Sequence, residues 1–309
     1  MNPFSSTIGH TTAIEVLSRM ISGNRLPHAL MFVGPKSVGK THIASNLIQQ
    51  LFGTSQSMIS LPDVILLKRD IDPKTSKRKS LISVKQVRAV IDRLSLSSFD
   101  GGWKVAFITE ADRLSAGAAN ALLKTLEEPK GKTLIILRAS SVESVLPTIA
   151  SRCQTIRLSP VSKQEITLAL QKRGLSKEEA SLIAARSLGK PGLALRYVSD
   201  SELRARKETM MNQAKSLLRV SLPEQFRAVT ELIPKTDVDK AQTLTKLLED
   251  WSEVVRMEMI REIAASSEDP TPRNDNASRT LRAIQEVQQG LHHNINPHLA
   301  LEHIFLATH

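Results

Sequence analysis

The sequence predicts an α/β domain built on a parallel sheet over residues 1–160, followed by an all-helical remainder. Three observations predict it. Short apolar runs alternate with helix-spaced stretches as far as Pro160, which is the pattern of a parallel sheet covered on both faces. Beyond Pro160 the strand-like runs stop and apolar residues recur only at helical spacing,. Hydrophobic residues make up 41% of the 309 positions, enough for about two or three packed domains and too many for a disordered chain.

The elements follow in order. Thr12-Ala13-Ile14-Glu15 has capping-box spacing and predicts a helix that stops near Gly23,. Ala29 to Val33 is a buried strand ending at Gly34-Pro35, Thr41 to Leu51 a helix, and Val64 to Leu67 a second strand,. Ser83 and Gln86 form another capping box, followed by Val84, Val87, Val90, Ile91 and Leu94 at helical spacing,. Trp103 to Thr109 reads as a strand, Ala116 to Glu128 as a helix stopped by Pro129, Thr133 to Leu137 as a strand and Gln154 to Leu158 as one more. Helices are expected over Lys163–Arg173, Lys177–Leu188 and Leu193–Val198, with Gly174 and Gly189-Lys190-Pro191-Gly192 as breaks,. From Glu202 onward further helices are expected, the longest over Ala241–Ala265 and Ala277–Leu291, with a polar loop over Ser266–Asn276 between them. The expected domains are 1–160, 161–201 and 202–309.

Charge and composition narrow the function. The chain has 42 Lys+Arg against 31 Asp+Glu, a formal charge of +11. Residues 1–160 hold 21 basic and 11 acidic side chains, whereas 161–309 hold 21 and 20. Eight of the basic residues fall between Lys68 and Arg88, beside only Asp70 and Asp72; the cluster reads either as a surface for an anionic partner or as a solvated loop. Aromatics are 3%, too few for a base-stacking platform, so any nucleic-acid contact should run through phosphates. The single cysteine, Cys153, excludes an intrachain disulfide and a four-cysteine zinc module,; its expected role is a small core residue. The eight histidines show no metal spacing, and His292-His293 reads as a helix-end pair. No apolar run reaches membrane-spanning length and Met1-Asn2-Pro3-Phe4 does not resemble a signal peptide, so a soluble cytoplasmic protein is expected.

Chemistry is carried by Gly34-Pro35-Lys36-Ser37-Val38-Gly39-Lys40-Thr41, which fits G-x-x-x-x-G-K-[ST] between a strand and a helix,. Its glycines let backbone N–H groups wrap phosphate oxygens. Lys40 is expected to reach the β and γ phosphates of ATP and the Thr41 hydroxyl to ligate Mg²⁺. Hydrolysis ordinarily needs an Asp at the end of a later strand, and the strand ending at Ile108 offers Thr109 there, followed by Glu110 and Asp112. Glu110 could orient a water, or Glu110 and Asp112 could simply be a solvated turn.

Four further segments carry a family resemblance. Arg25-Leu-Pro-His-Ala-Leu30, Ala118-Ala-Asn-Ala-Leu-Leu-Lys-Thr-Leu-Glu-Glu-Pro129, Leu146-Pro-Thr-Ile-Ala-Ser-Arg-Cys153 and Asn294-Ile-Asn-Pro-His-Leu-Ala-Leu301 resemble the bacterial clamp-loader subunits of the AAA+ class. The resemblance implies an AAA+ nucleotide-binding domain, a small helical lid and a C-terminal helical collar. It also implies a heteropentameric ring with delta and tau/gamma subunits that loads a sliding clamp onto primed DNA. Thr109, Gly192 in the place of a nucleotide-sensing arginine, and the altered Arg138-Ala139-Ser140-Ser141 stretch, with Ser140 the nearest polar equivalent, are similar to the delta-prime type rather than the hydrolysing tau/gamma motor. In that family the arginine matching Arg152 projects into a neighbour's ATP site. Many relatives carry a zinc module where this chain has only Gly53 to Pro62, so zinc is not expected. The family is classed with DNA polymerase by association, although nothing here resembles a polymerase active site. The expected outcome is a subunit that binds ATP while turning it over weakly or not at all. The open alternatives are a motor subunit and a stand-alone AAA+ DNA-binding protein.

Overall fold

The strands β1 (Ala29–Val33), β2 (Val64–Leu67), β3 (Lys104–Ile108), β4 (Thr133–Ala139) and β5 (Gln154–Arg157) form one wholly parallel sheet in the order β2-β3-β4-β1-β5. The computed structural model describes residues 4–99, 101–217, 220–234, 240–265, 276–290 and 295–307. Residues 266–275 of the expected polar loop and the His292-His293 pair lie outside them. Two compact units make up the chain, Met1–Val198 and Ser199–His309.

In the first unit the side chains of each strand divide by parity between two cores, as the two-residue strand period requires. Ala29, Met31, Val33, Ala106, Ile108, Ile135 and Leu137 face one side. There they meet α3 (Val84–Ser95), α4 (Ala116–Glu127) and the short α5 (Pro147–Ala150) through Val87, Val90, Leu122, Leu126 and Ile149. Leu30, Phe32, Val105, Phe107, Leu134 and Ile136 face the other side, against α1 (Thr11–Ser22) and α2 (Lys40–Leu51) through Leu17, Ile43, Leu47 and Ile48. Every residue of β1 is buried, which is why it reads as an unbroken apolar run.

Three helices complete this unit: α6 (Lys163–Gln171), α7 (Lys177–Arg186) and α8 (Pro191–Ser199). The second unit holds α9 (Ser201–Leu217), α10 (Leu222–Leu232), α11 (Lys240–Ala265), α12 (Asn276–Gly290) and α13 (Pro297–Ala307). Its core gathers Leu244, Leu248, Ile284, Leu301 and Ile304 around Trp251 and Phe305, whose ring centroids are 5.2 Å apart. No helix among the described residues is long and apolar enough to cross a membrane.

Two local expectations are corrected. The Thr12–Glu15 capping box does not form: α1 starts two residues earlier, with His10 as its N-cap in the left-handed region (φ 61°) and no side-chain cap. The Gly189–Gly192 break ends early, because Pro191 and Gly192 already belong to α8; proline is tolerated in a first helical turn, where its missing N–H costs no bond. The Ser83/Gln86 box is present, with Ser83 N–H donating to Gln86 Oε1 at 3.0 Å. The basic cluster is ordered. Ile71 bridges Arg78 antiparallel, Asp72 N–H donates to the Lys77 carbonyl at 2.8 Å, and Lys74, Lys77, Arg78 and Lys79 are exposed.

Strand β1 lies between β4 and β5, and the chain leaves it for the far edge at β2. Such a reversal opens a crevice at the carboxyl ends of the strands. Gly34 turns the chain there at φ 146°, and a Cβ on it would stand 2.1 Å from the Leu158 carbonyl oxygen. Gly34→Ala should therefore destabilise the first unit by at least about 2 kcal/mol. Urea denaturation followed through Trp103 in a Trp251→Phe background measures this, and a loss below about 0.5 kcal/mol would contradict the close-approach argument.

Candidate functional site

The loop Gly34–Thr41 emerges from β1 into α2 and wraps upon itself, with Ser37 (φ 61°) and Gly39 (φ 118°) also in the left-handed region. Val38 is fully buried and anchors the loop in the sheet core. Lys40, only 8% exposed, folds back so that Nζ donates to the carbonyls of Gly34 and of Pro35, the latter at 2.6 Å. Burial above all, with the nearby charges of Arg138 and Lys36, lowers its pKa from 10.5 to about 8, against an opposing pull from Asp112. His10 Nε2–H donates to the Val38 carbonyl at 2.8 Å.

A cavity of about 650 Å³ opens beside this loop. Six basic side chains and two acidic ones line it, besides His42. That excess of positive charge suits a polyanion. Lys36, Ser37, Gly39, Lys40 and Thr41 reach it directly, while Gly34, Pro35 and Val38 serve the loop's shape.

The far wall comes from the ends of β3 and β4. Thr109 follows β3, and both its N–H (2.9 Å) and its hydroxyl (3.2 Å) donate to the Leu67 carbonyl. Glu110 is held by Arg69 in a two-pronged pair at 3.1 and 2.8 Å. Burial works to raise the Glu110 carboxyl, but the hydrogen bonds and charge of Arg69 outweigh it and hold the group below the usual carboxylate range. An ionised carboxylate with both oxygens engaged is poorly placed to take a proton from water. Asp112 accepts from the Ser140 hydroxyl at 3.2 Å. Arg138 leaves β4 toward the loop, its Nε–H donating to the Thr109 carbonyl at 2.5 Å and its Nη1–H to Thr41 Oγ1 at 2.7 Å. The oxygen that would ligate Mg²⁺ therefore already faces a guanidinium, and the position across from it carries Thr109 instead of a carboxylate. This donor set does not fit a hard divalent cation, which wants several anionic or neutral oxygens.

Helix α8 closes the cavity from the lid side. Gly192 N–H donates to the Ser37 carbonyl at 2.9 Å, and a Cβ at 192 would meet that oxygen at 2.9 Å. One turn further on, Arg196 Nη2–H donates to Ser37 Oγ at 2.9 Å. The backbone at 192 thus sits against the phosphate loop, and the arginine that touches the loop comes from position 196.

Arg152 does not line this cavity. It lies between α5 and β5 with its side chain 35% exposed, paired with Glu127 at 2.5 Å and donating from Nη1 to the Thr148 carbonyl at 2.9 Å. Cys153 packs against the α4 side of the sheet, and burial pushes its thiol up to about 12, so it stays protonated and unreactive,. Sequence reasoning did not single out His42, Arg113 or Arg196, and it met Arg69 only within the basic cluster and Arg138 only within an altered stretch, without placing either side chain in the cavity. The one local signal was Arg138 itself, the lone charge in the apolar run Thr133–Ala139.

A phosphate loop at the switch point of a five-stranded parallel sheet, covered by α8, is the architecture of an AAA+ nucleotide-binding fold,. Residues 9–162 match the family described as "DNA polymerase III, delta subunit". DNA polymerase III subunit delta' of Haemophilus influenzae is 40% identical over 128 residues, 41% of this chain and 39% of the relative. The gamma subunit of Buchnera aphidicola is 28% identical over 276 residues, covering 84% of this chain and 76% of the relative. The replication factor C small subunit of Methanococcus vannielii is 26% identical over 275 residues, covering 83% and 80%. The match to the Haemophilus protein thus spans about two fifths of that relative's length. Over residues 9–162, and over the stretches these relatives match, the chain is similar to clamp-loader subunits.

Lys40 gives the site a pH signature. Its folded pKa lies below its ordinary value, so between about 8 and 10.5 the unfolded chain binds more protons and unliganded stability rises with pH. Below that window the charged, buried ammonium costs stability, which a bound anion offsets. ATP affinity should accordingly weaken above pH 8, by at most about tenfold per pH unit, the limit for one proton. Titrations between pH 7 and 9.5 measure it; a flat profile would contradict contact between Lys40 and the phosphates.

Proposed function

We propose that this chain is a stator subunit of the delta-prime type in a bacterial clamp loader, binding ATP without turning it over appreciably. In this reading it joins delta and tau/gamma-type subunits in a heteropentameric ring that places a sliding clamp on primed DNA. The observation that carries the reading is the combination in one cavity of a complete phosphate loop with disabled hydrolytic positions. Thr109 offers no carboxylate, Glu110 is locked to Arg69, and Arg138 occupies the Thr41 hydroxyl. The 40% identity to a delta' subunit over 128 residues supports the same reading.

Arg152 supplies the chemistry that such a subunit gives to its neighbour. Its side chain is partly exposed, lies outside its own cavity and, among the described residues, is tethered by Glu127 and the Thr148 carbonyl. An exposed ion pair of this kind is worth about 0–1 kcal/mol, so exchanging Glu127 for the γ-phosphate of a neighbour's ATP costs little. There the planar, permanently charged fork stabilises negative charge that grows in the transition state.

The rival reading is a hydrolysing motor of the tau/gamma type, which the complete Lys40-Thr41 pair and the likeness to a gamma subunit favour. The state of Thr109, Glu110 and Arg138 argues against it.

The trans role is tested by reconstituting the ring with Arg152→Ala. Clamp- and DNA-stimulated ATPase should fall by about tenfold or more, while ATP binding to the isolated chain stays unchanged. ATPase equal to that of the wild-type ring would remove Arg152 from the chemistry.

A further inference from the structure

We infer that this site takes a nucleoside polyphosphate without a divalent cation, Arg138 supplying the positive charge that a metal at Thr41 would otherwise bring. The inference rests on the nucleotide-binding reading above and names how that site neutralises its ligand.

The placement of Arg138 is specific. It is the one charged residue in a strand of otherwise apolar or hydroxyl side chains, Thr133–Ala139. Pairing of β4 with β1 puts Phe32 opposite Arg138 and Val33 opposite Ala139, so the guanidinium emerges beside the loop that follows Val33. There it is anchored on the hydroxyl expected to ligate a metal, Nη1–H donating to Thr41 Oγ1 at 2.7 Å, and on the backbone across from it, Nε–H donating to the Thr109 carbonyl at 2.5 Å. Since Arg138 lines the cavity, the donors not used in these two bonds remain for phosphate oxygens, in the planar fork that phosphate recognition favours.

The acidic oxygens of the cavity wall are largely engaged by other side chains. Both oxygens of Glu110 are committed to Arg69, and Asp112 receives the Ser140 hydroxyl. A dication seated on Thr41 would also face the charges of Arg138 and Lys40, which line the same cavity,. Lys36, Lys40, Arg138 and Arg196 together supply the neutralising charge from the protein side. A nucleotide so held lacks a metal bridging its β and γ phosphates, and it serves as a structural ligand.

The test is titration of the full-length chain with a fluorescent ATP analogue in EDTA and again in excess Mg²⁺. Affinity in EDTA should equal or exceed that in Mg²⁺, since the free polyphosphate is the species bound. An affinity that falls about tenfold or more on chelation would overturn the inference while leaving nucleotide binding standing. Absence of binding in both buffers would overturn the inference and the nucleotide-binding reading together. Arg138→Ala should weaken binding in EDTA by about tenfold or more and make it recover with Mg²⁺, because Thr41 is then open to a metal; unchanged affinity in EDTA would overturn the inference. If Arg138→Ala does not fold, Arg138→Lys, which keeps the charge and loses the fork, should retain part of the EDTA affinity, and the two wild-type titrations still decide.

Discussion

Everything in the nucleotide-binding unit depends on one backbone loop being gripped from several sides at once. Gly34 meets the Leu158 carbonyl after β5, Ser37 receives Gly192 and Arg196 from α8, Val38 receives His10, and Lys40 ties Gly34 and Pro35 from within. These contacts come from four separate stretches of sequence, so the loop takes its shape only when sheet, lid and N-terminal segment are all in place. Preorganisation of this kind lets a cradle of N–H groups bind phosphate without first ordering itself.

The grip sets an electrostatic problem. Positive side chains converge on the loop, and the fold holds Lys40 charged and buried at neutral pH only at a cost in stability,. Of the two acids in the wall, Glu110 is neutralised by Arg69 and Asp112 faces Ser140. What remains is a concentrated positive field that a polyphosphate completes. In the proposed function the same residues that gather positive charge around the loop also leave little to activate water, so binding and lack of turnover share one origin.

How much of this is legible in the sequence follows from how local each interaction is. The central strands are read correctly because parallel strands buried on both faces are continuous apolar runs, whereas the edge strand β5 (Gln154–Arg157) buries only Ile156; the phosphate loop is legible because its residues are contiguous. The start of α1 is misread because the Thr12–Glu15 spacing imitates a capping box, while the chain begins the helix from a left-handed His10. The arginines of the cavity are hidden for a different reason. Arg69 meets Glu110 across 41 positions, Arg138 meets Thr41 across 97, and Arg196 meets Ser37 across 159. Only the strand order, which brings β4 beside β1, converts a lone arginine in an apolar run into a cavity residue. Arg152 is visible as part of the Ser151-Arg152-Cys153 sequence, but its pairing with Glu127 at the end of α4 is likewise a product of the fold.

The central claim is that a complete phosphate loop here serves binding without turnover. Its most direct test is a single-turnover experiment with γ-labelled ATP and the purified chain in excess, followed by separation of bound nucleotide. ATP bound to the wild-type chain should be recovered intact, with phosphate release no faster than from Lys40→Ala. Phosphate release that depends on Lys40 would contradict it and make the chain a motor.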